Sequence, residues 1–365
     1  MTAHRSGRML KSLFAGAACA LALSVASAHA EDFSLLDGSF SKALPALSSQ
    51  KPAADILRRA KGGLDRTPAP LPVVHTEGTL PGKGIREIST KAREDLPTMF
   101  NLALAYRMTG DKRYLAQTER FLEAWVDVYK ISLNPIDETH FEQVMMACDL
   151  TCPDLSPTAR TKVEAFSRAM AVGYLDAMAK PRDKAFTNWQ SHRVKLATMA
   201  AFQTGDATLI KRARDAYDRQ VAENINPDGT VFDFHERDAL HYVTYDLDPL
   251  MMAALTAQAH GQDWFHRKSA KGSSLPLALD WLAPYARGDK VHTEFVNSKI
   301  QFDRDRAASG QAEYAPHAWD TSNGVQTFAL AAQLDPRYAA VRDQVIANTG
   351  KAIPPWILLF SAARP

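Results

Sequence analysis

The sequence has few cysteines, little net charge and, beyond its first thirty residues, no long apolar segment. Its three cysteines, Cys19, Cys148 and Cys152, are too few for the disulfide framework of a small secreted domain. The 43 basic and 41 acidic residues nearly cancel, so the chain as a whole does not attract nucleic acid, and positive charge for a polyanionic ligand must be gathered locally. Without a later apolar segment of membrane-spanning length, we expect no membrane anchor.

The N-terminus has the pattern of a secretory signal. Three basic residues precede an apolar run at 13–25, and an A-x-A cleavage motif ends at Ala30. We therefore expect residues 1–30 to be a signal peptide, and the protein to be periplasmic or secreted. An oxidising compartment permits a disulfide between Cys148 and Cys152, and their spacing alone leaves that bond open.

Strand signals are also sparse, with one short extended piece expected at 229–234. Apolar residues instead recur at helical spacing, for example at 91–108, while 66–74 and 77–89 have the composition of loops. The tripeptide Thr-Gly-Asp occurs twice between such segments, with Gly for the left-handed residue after one helix and Asp to cap the next. The pattern predicts one all-α domain at 31–365, an (α/α) toroid or incomplete barrel of antiparallel helical hairpins with a central cleft.

Polar and aromatic side chains crowd the start of the helix predicted from residue 188. Asn188 and His192 are four residues apart and share a face, as do Trp189 and Arg193. Gln190 lies between them. Since a helix needs one capping residue, this cluster is a candidate site.

A second cluster begins the helix that follows residue 234. Arg237, His241 and Tyr245 have the spacing of one helical stripe, and Tyr242 lies one turn before Tyr245. An aromatic stripe in the core is the alternative. It explains the arginine and histidine less well, because charged groups are rarely buried unpaired.

Two further polar segments are better explained by structure than by chemistry. In the segment 134–143, we expect Asp137 to cap a helix, rather than to form a metal site or an acid–base pair with its neighbours. The segment 294–306 carries Lys299, Arg304 and Arg306 and is expected to be a solvated loop. No metal or other cofactor is predicted.

The two main clusters contain Asn, His, Arg and Tyr, with neither a Ser or Cys nucleophile motif nor a Gly-rich phosphate loop. Such side chains suit proton abstraction beside a carboxylate. Hydrogen-bond donors must take up the charge that develops on the carboxylate. A tyrosine can serve as base and acid if nearby positive charge lowers its pKa. This is the chemistry of β-elimination in a uronic acid polymer.

The sequence resembles the alginate lyase superfamily in four ordered segments, "KAREDLPTMFNLALAYRMTGDKRYL", "LNPIDETHFE", "NWQSHR" and "ALHYVTYDLDPLM". The resemblance implies an (α/α) toroid, a periplasmic location, no obligatory metal and cleavage of 1,4-linked polyuronate by β-elimination. By that resemblance, Asn188 and His192 neutralise the substrate carboxylate, and Tyr245 is base and acid. Arg237 would join the catalytic group. Further substrate contacts are expected from Trp189, Gln190, Arg193, His241, Tyr242 and Lys299.

The chain departs from polysaccharide lyase family five in two places. Three residues separate Asn188 from His192, which are adjacent in that family, and Asp238 stands where the family has an arginine. The departures favour the divergent alginate and glucuronan lyases of family thirty-eight. They leave open which uronate is preferred and whether Tyr242 replaces Tyr245 as the base.

Two other classes remain open from the residues alone. One is a glycoside hydrolase on an α/α barrel, which would use Asp137 or Glu138 with a second carboxylate such as Asp246. The other is a non-catalytic protein for polysaccharide binding or export. The preferred partner in every case is an anionic polysaccharide, and the oligomeric state is left open.

Overall fold

A computed structural model describes residues 32–180 and 186–364. The expected signal peptide, residues 1–30, lies outside this part of the chain. The first eight helices are α1 Gly38–Leu47, α2 Lys51–Gly63, α3 Ile85–Arg93, α4 Asp95–Thr109, α5 Lys112–Val128, α6 Glu142–Thr151, α7 Pro157–Met178 and α8 Asn188–Gln203.

The second half of the chain continues in helices and holds the two short strands. The helices are α9 Ala207–Asn224, α10 Phe232–Arg237, α11 Leu240–Ala259, α12 Leu275–Ala286, α13 Gln301–Ala308, α14 Gly324–Leu334, α15 Ala339–Thr349 and α16 Pro355–Ala362. Strand β1 Thr293–Glu294 pairs antiparallel with β2 His317–Ala318. Short 3₁₀ turns occupy Thr139–Phe141, Cys152–Asp154, Ala312–Tyr314, Thr321–Asn323 and Pro336–Tyr338.

The two Thr-Gly-Asp joints build two helical hairpins in the same way. After α4, Gly110 is left-handed with φ 70°, and the Asp111 side chain accepts a hydrogen bond from the first turn of α5. After α8, Gly205 has φ 64°, and Asp206 caps α9 in the same manner. Glycine takes this conformation without the steric penalty of a Cβ atom. The capping prediction is confirmed at both joints.

The hairpins close into a ring around α8 and α11. Helix α8 packs against α7, α9 and α11, and α11 packs against α14. The last helix, α16, returns to α1 and α2. Every residue of α8 except Trp189 is buried. The prediction of an all-α toroid of antiparallel hairpins is confirmed, and its centre is lined by α8 and α11.

Three local predictions were wrong. Residues 229–234 are extended only to Val231, which bridges to Ile225, because Phe232 already begins α10. The helix predicted at 91–108 is two helices that meet at Glu94, and the first of them covers 85–89, which was expected to be loop. The segment 294–306 is no plain loop, since it contains α13 and part of the β1–β2 pair.

Two predictions about the chain's environment can be compared with the described residues. Cys148 and Cys152 are joined by a disulfide with their Cα atoms 4.7 Å apart. Among the described residues, we find no helix with the length and apolar character needed to cross a membrane.

Candidate active site

The centre of the ring holds a cavity of about 300 Å³. Its lining comes from α2, α4, α6, α8, α11, α14 and the start of α16. His192 of α8 and Tyr245 of α11 lie together on its wall, with their ring centroids 4.4 Å apart. A second cavity of about 250 Å³ shares Tyr245 and Asp248 with the first. The structure thus brings together one residue from each polar cluster in the sequence.

His192 is buried and neutral. Only 3% of the residue is exposed, and its Nδ1 is 2.7 Å from the Thr139 hydroxyl oxygen. Burial, aided by the charges of Lys195 and His140, holds the pKa of His192 well below its ordinary value. Its Nε2 is buried and has no partner with hydrogen-bond geometry among the described residues. A hydrogen bond between this ring and the backbone of Tyr245 opposes part of the downward pKa shift.

A buried lysine supports this histidine. Lys195 Nζ donates hydrogen bonds to the Thr139 carbonyl oxygen at 2.7 Å and to its hydroxyl oxygen at 2.9 Å. It also forms an ion pair with Glu142. Burial alone would raise the pKa of Glu142, but Lys195 and His140 hold it below its ordinary value. Sequence reasoning missed Lys195 and Thr139, because neither belongs to a recognisable motif.

The electrostatic setting of Tyr245 differs from the prediction. Burial raises the pKa of its hydroxyl, and Tyr314 adds to this, whereas Arg93 and Arg306 act in the opposite direction. The predicted positive neighbour, Arg237, lies on a different helix. Two arginines that were not assigned to the site act in its place, and they offset only part of the effect of burial.

The predicted stripe of Arg237, His241 and Tyr245 is wrong. Helix α10 ends at Arg237, Asp238 is left-handed with φ 52°, and α11 begins at Leu240. Only His241 and Tyr245 therefore share a helix face, with ring centroids 6.3 Å apart. The helical spacing did not reveal the break, because apolar periodicity says nothing about one left-handed residue.

Asn188 and Arg237 line a separate small cavity of about 100 Å³. Asn188 donates its side-chain N–H to Asp233 at 2.5 Å and its backbone N–H at 2.7 Å. Arg237 forms an ion pair with the buried Asp303 and lies 4.0 Å from the ring centroid of Tyr242. Although Asn188 and His192 are both on α8, they line different cavities.

The predicted substrate-contact residues also separate. His241 lines the second cavity, next to Tyr245. Tyr242 is buried, and its hydroxyl accepts a hydrogen bond from Arg306 at 3.0 Å. Arg193 lies over the Trp189 ring at 5.4 Å and donates to Gln190 at 3.4 Å. Lys299 is exposed and pairs with Glu236 at 3.2 Å.

The carboxylates of the hydrolase alternative are held inside the fold. Asp137 does not cap a helix as predicted. It accepts backbone hydrogen bonds from Thr76 and Glu77 at 2.7 and 2.8 Å and thereby anchors that loop. Glu138 accepts from Tyr129 at 2.7 Å and from Tyr174, and Asp246 accepts from Ser191. All three carboxylates are almost completely buried.

Asp248 is a further acidic group at the cavities. Burial raises the pKa of Asp248, which lines both cavities, to about 6. Its carboxylate accepts hydrogen bonds from Thr327 at 2.7 Å and from Gln326 at 2.9 Å. Within 32–180 and 186–364, no group of His, Cys, Asp and Glu side chains is arranged to hold a metal ion.

A sequence model of the family described as alginate lyase matches residues 43–292, most of the chain. The chain belongs to the alginate lyase family. Membership supports a polysaccharide lyase activity. Among curated proteins, none is significantly similar in sequence.

Solved structures of alginate lyases share the fold of this family member. An alginate lyase from Bacteroides ovatus has a TM-score of 0.66 at 16% identity, over 90% of this chain and 99% of that chain. Alginate lyase A1-III from Sphingomonas species A1 has a TM-score of 0.53 at 20% identity, over 70% and 80%. A Tyr-to-Phe variant of alginate lyase A1-III, complexed with a tetrasaccharide, has a TM-score of 0.56 at 19% identity, over 72% and 81%. At these identities the likeness establishes the (α/α) toroid.

The ion pair of Arg237 in this alginate lyase family member yields a stability prediction. Arg237→Met leaves the carboxylate of Asp303 buried without its charged partner, which typically costs about 3–5 kcal/mol. Denaturant unfolding should show that loss. Lys299→Met is the matched control, because an exposed pair contributes only about 0–1 kcal/mol. A variant with unchanged unfolding but a raised KM would instead make Arg237 a substrate ligand.

Proposed function

We propose that this protein cleaves a 1,4-linked polyuronate by β-elimination and leaves an unsaturated uronate at the new chain end. The observation that carries the proposal is the pairing of His192 and Tyr245 on the wall of the central cavity, in a chain of the alginate lyase family. The buried carboxylates required by the hydrolase alternative give no such arrangement.

The first task in the reaction is to take charge from the substrate carboxylate. A neutral imidazole can donate its Nε2–H to that carboxylate and so stabilise the negative charge that develops when the C5 proton leaves. Burial keeps His192 neutral, and its Nε2, which is buried beside Tyr245 at the cavity wall, is the proposed donor. The positive charges of Arg93 and Arg306 add to the same stabilisation, since both act on the neighbouring Tyr245.

The second task is to move the proton. Tyr245, as phenolate, removes the C5 proton; the electron pair of that C–H bond forms the C4–C5 double bond, and the C4–O bond breaks. The same hydroxyl can then give its proton to the leaving oxygen. Burial opposes the phenolate and raises the pKa of Tyr245, and the charges of Arg93 and Arg306 offset only part of that rise. No metal is required in this sequence of steps.

The proposed substrates are β-1,4-glucuronan and alginate; the departures from family five favour the divergent group that includes lyases of both. Arg59 lines the central cavity, and Arg93 and Arg306 act electrostatically on Tyr245 at its wall, so positive charge is available to an anionic polymer. Two variants of alginate lyase A1-III, one with His replaced by Ala and one with Tyr replaced by Phe, are complexed with a tetrasaccharide. We further propose a periplasmic or secreted location, which the N-terminal pattern at 1–30 and the Cys148–Cys152 disulfide support.

The products distinguish the candidate activities. We expect incubation with glucuronan, polymannuronate or polyguluronate to raise ultraviolet absorbance and reducing ends together, because each elimination creates one conjugated double bond and one new end. Reducing ends without absorbance would indicate a hydrolase. Neither signal with any of the three polymers would contradict the proposed activity and favour a binding protein.

Tyr245 and Tyr242 provide a matched pair of substitutions. Tyr245→Phe should lower kcat by about 10²–10⁴-fold, since it removes the general base and acid while keeping the ring. Tyr242→Phe removes a hydroxyl that is bonded to Arg306, which is worth about 1 kcal/mol, so a loss below about ten-fold is expected. Initial rates from the absorbance assay measure both. If Tyr242→Phe is inactive and Tyr245→Phe is active, Tyr242 is the base and the assignment to Tyr245 is wrong.

A further inference from the structure

Four side chains on the cavity wall form one continuous chain of contacts. Glu142 pairs with Lys195, Lys195 donates to Thr139, and the Thr139 hydroxyl oxygen lies 2.7 Å from His192 Nδ1. Lys195 follows His192 by three residues on α8, so both project from one face of the helix. Thr139, His192 and the Lys195 side chain are each at least nine-tenths buried. Water is thus largely kept from these contacts.

The number of donors in these four contacting side chains fixes where the hydrogen of the Thr139 hydroxyl lies. An ammonium group has three N–H donors and no acceptor. Lys195 has three partners in the described residues: the Thr139 carbonyl oxygen, the Thr139 hydroxyl oxygen and Glu142. The Thr139 hydroxyl oxygen is therefore an acceptor toward Lys195. Its own hydrogen is left to point at His192 Nδ1.

A nitrogen that accepts a hydrogen bond carries no proton. If the Thr139 hydroxyl donates to Nδ1, the single proton of a neutral His192 resides on Nε2. The opposite tautomer would donate from Nδ1 to Thr139 and leave the buried hydroxyl hydrogen without an acceptor. Leaving a buried donor unpaired is unfavourable, so the network selects the Nε2–H form.

We propose that Lys195 is a positioning residue that, through Thr139, holds His192 as the Nε2–H tautomer. In this form His192 donates a hydrogen bond and cannot accept the C5 proton. The assignment of the base to Tyr245 follows from this, and that step rests on the proposed lyase function. Glu142 holds the Lys195 ammonium in place from the other side.

The tautomer can be read without any substrate. In protein labelled with ¹⁵N-histidine at neutral pH, two-bond ¹H–¹⁵N correlations show which ring nitrogen is protonated, and His192→Gln identifies the signals. We expect an unprotonated Nδ1 and a protonated Nε2 in the wild-type protein. A proton on Nδ1, or on both nitrogens, would overturn the proposal.

Three variants test the role of the network. Thr139→Val removes the hydroxyl at nearly constant shape, and Lys195→Met combined with Glu142→Gln removes the ammonium without leaving a buried carboxylate unpaired. Both should give a mixture of tautomers, whereas Thr139→Ser should keep the wild-type pattern. Thr198→Val is the control, because Thr198 is buried on the same helix and its hydroxyl has no partner. An unchanged tautomer in both disruptive variants would refute the role of Lys195.

Kinetics separate this inference from the proposed function. A catalytic histidine fixed in the wrong tautomer can cost ~10⁴ in kcat. A mixture should lower kcat in proportion to the fraction of His192 left in the Nε2–H form, about two-fold for an even mixture, with little change in KM. If the wild-type protein cleaves no polyuronate while the spectra behave as expected, the function fails and the tautomer assignment stands. If cleavage occurs but the disruptive variants keep full kcat, the positioning role fails.

Discussion

The structure depends on the burial of polar side chains along helix α8, which is buried over nearly its whole length. Helix α8 has no face turned to water, so each of its polar groups requires a partner within the protein. Lys195 satisfies this need with Thr139 and Glu142, and Asn188 does so with Asp233. His192 lies at the cavity wall, with its ring beside that of Tyr245 and its Nε2 buried.

The same burial sets the charges of the proposed site. It keeps His192 neutral and raises the pKa of Tyr245, so neither side chain carries charge without help from its neighbours. Arg93 and Arg306 act electrostatically on Tyr245 from α3 and α13, outside the α8–α11 pair. The central helices α8 and α11 therefore provide the side chains of His192 and Tyr245. The flanking helices α3 and α13 provide positive charge for an anionic polymer.

The sequence predicts the hairpins well, because capping and apolar spacing are local properties of the chain. It also suggests His192 and Tyr245 as candidates, from clusters that a plain amphipathic helix does not require, and the structure brings these two side chains together. It could not separate Arg237 from the stripe, since the left-handed Asp238 leaves no mark in the periodicity. Thr139 and Lys195 escaped notice because their contact joins segments 56 residues apart. Such contacts exist only once the ring closes.

The central claim is that a uronate binds with its carboxylate at His192 and its C5 carbon at Tyr245. A crystal structure of the Tyr245→Phe variant with a uronate tetrasaccharide tests this most directly. The account predicts a sugar in the central cavity, with one carboxylate within hydrogen-bond distance of His192 Nε2 and C5 facing residue 245. A tetrasaccharide whose carboxylate is held by Asn188 and Arg237 in the smaller cavity, away from His192, would contradict it.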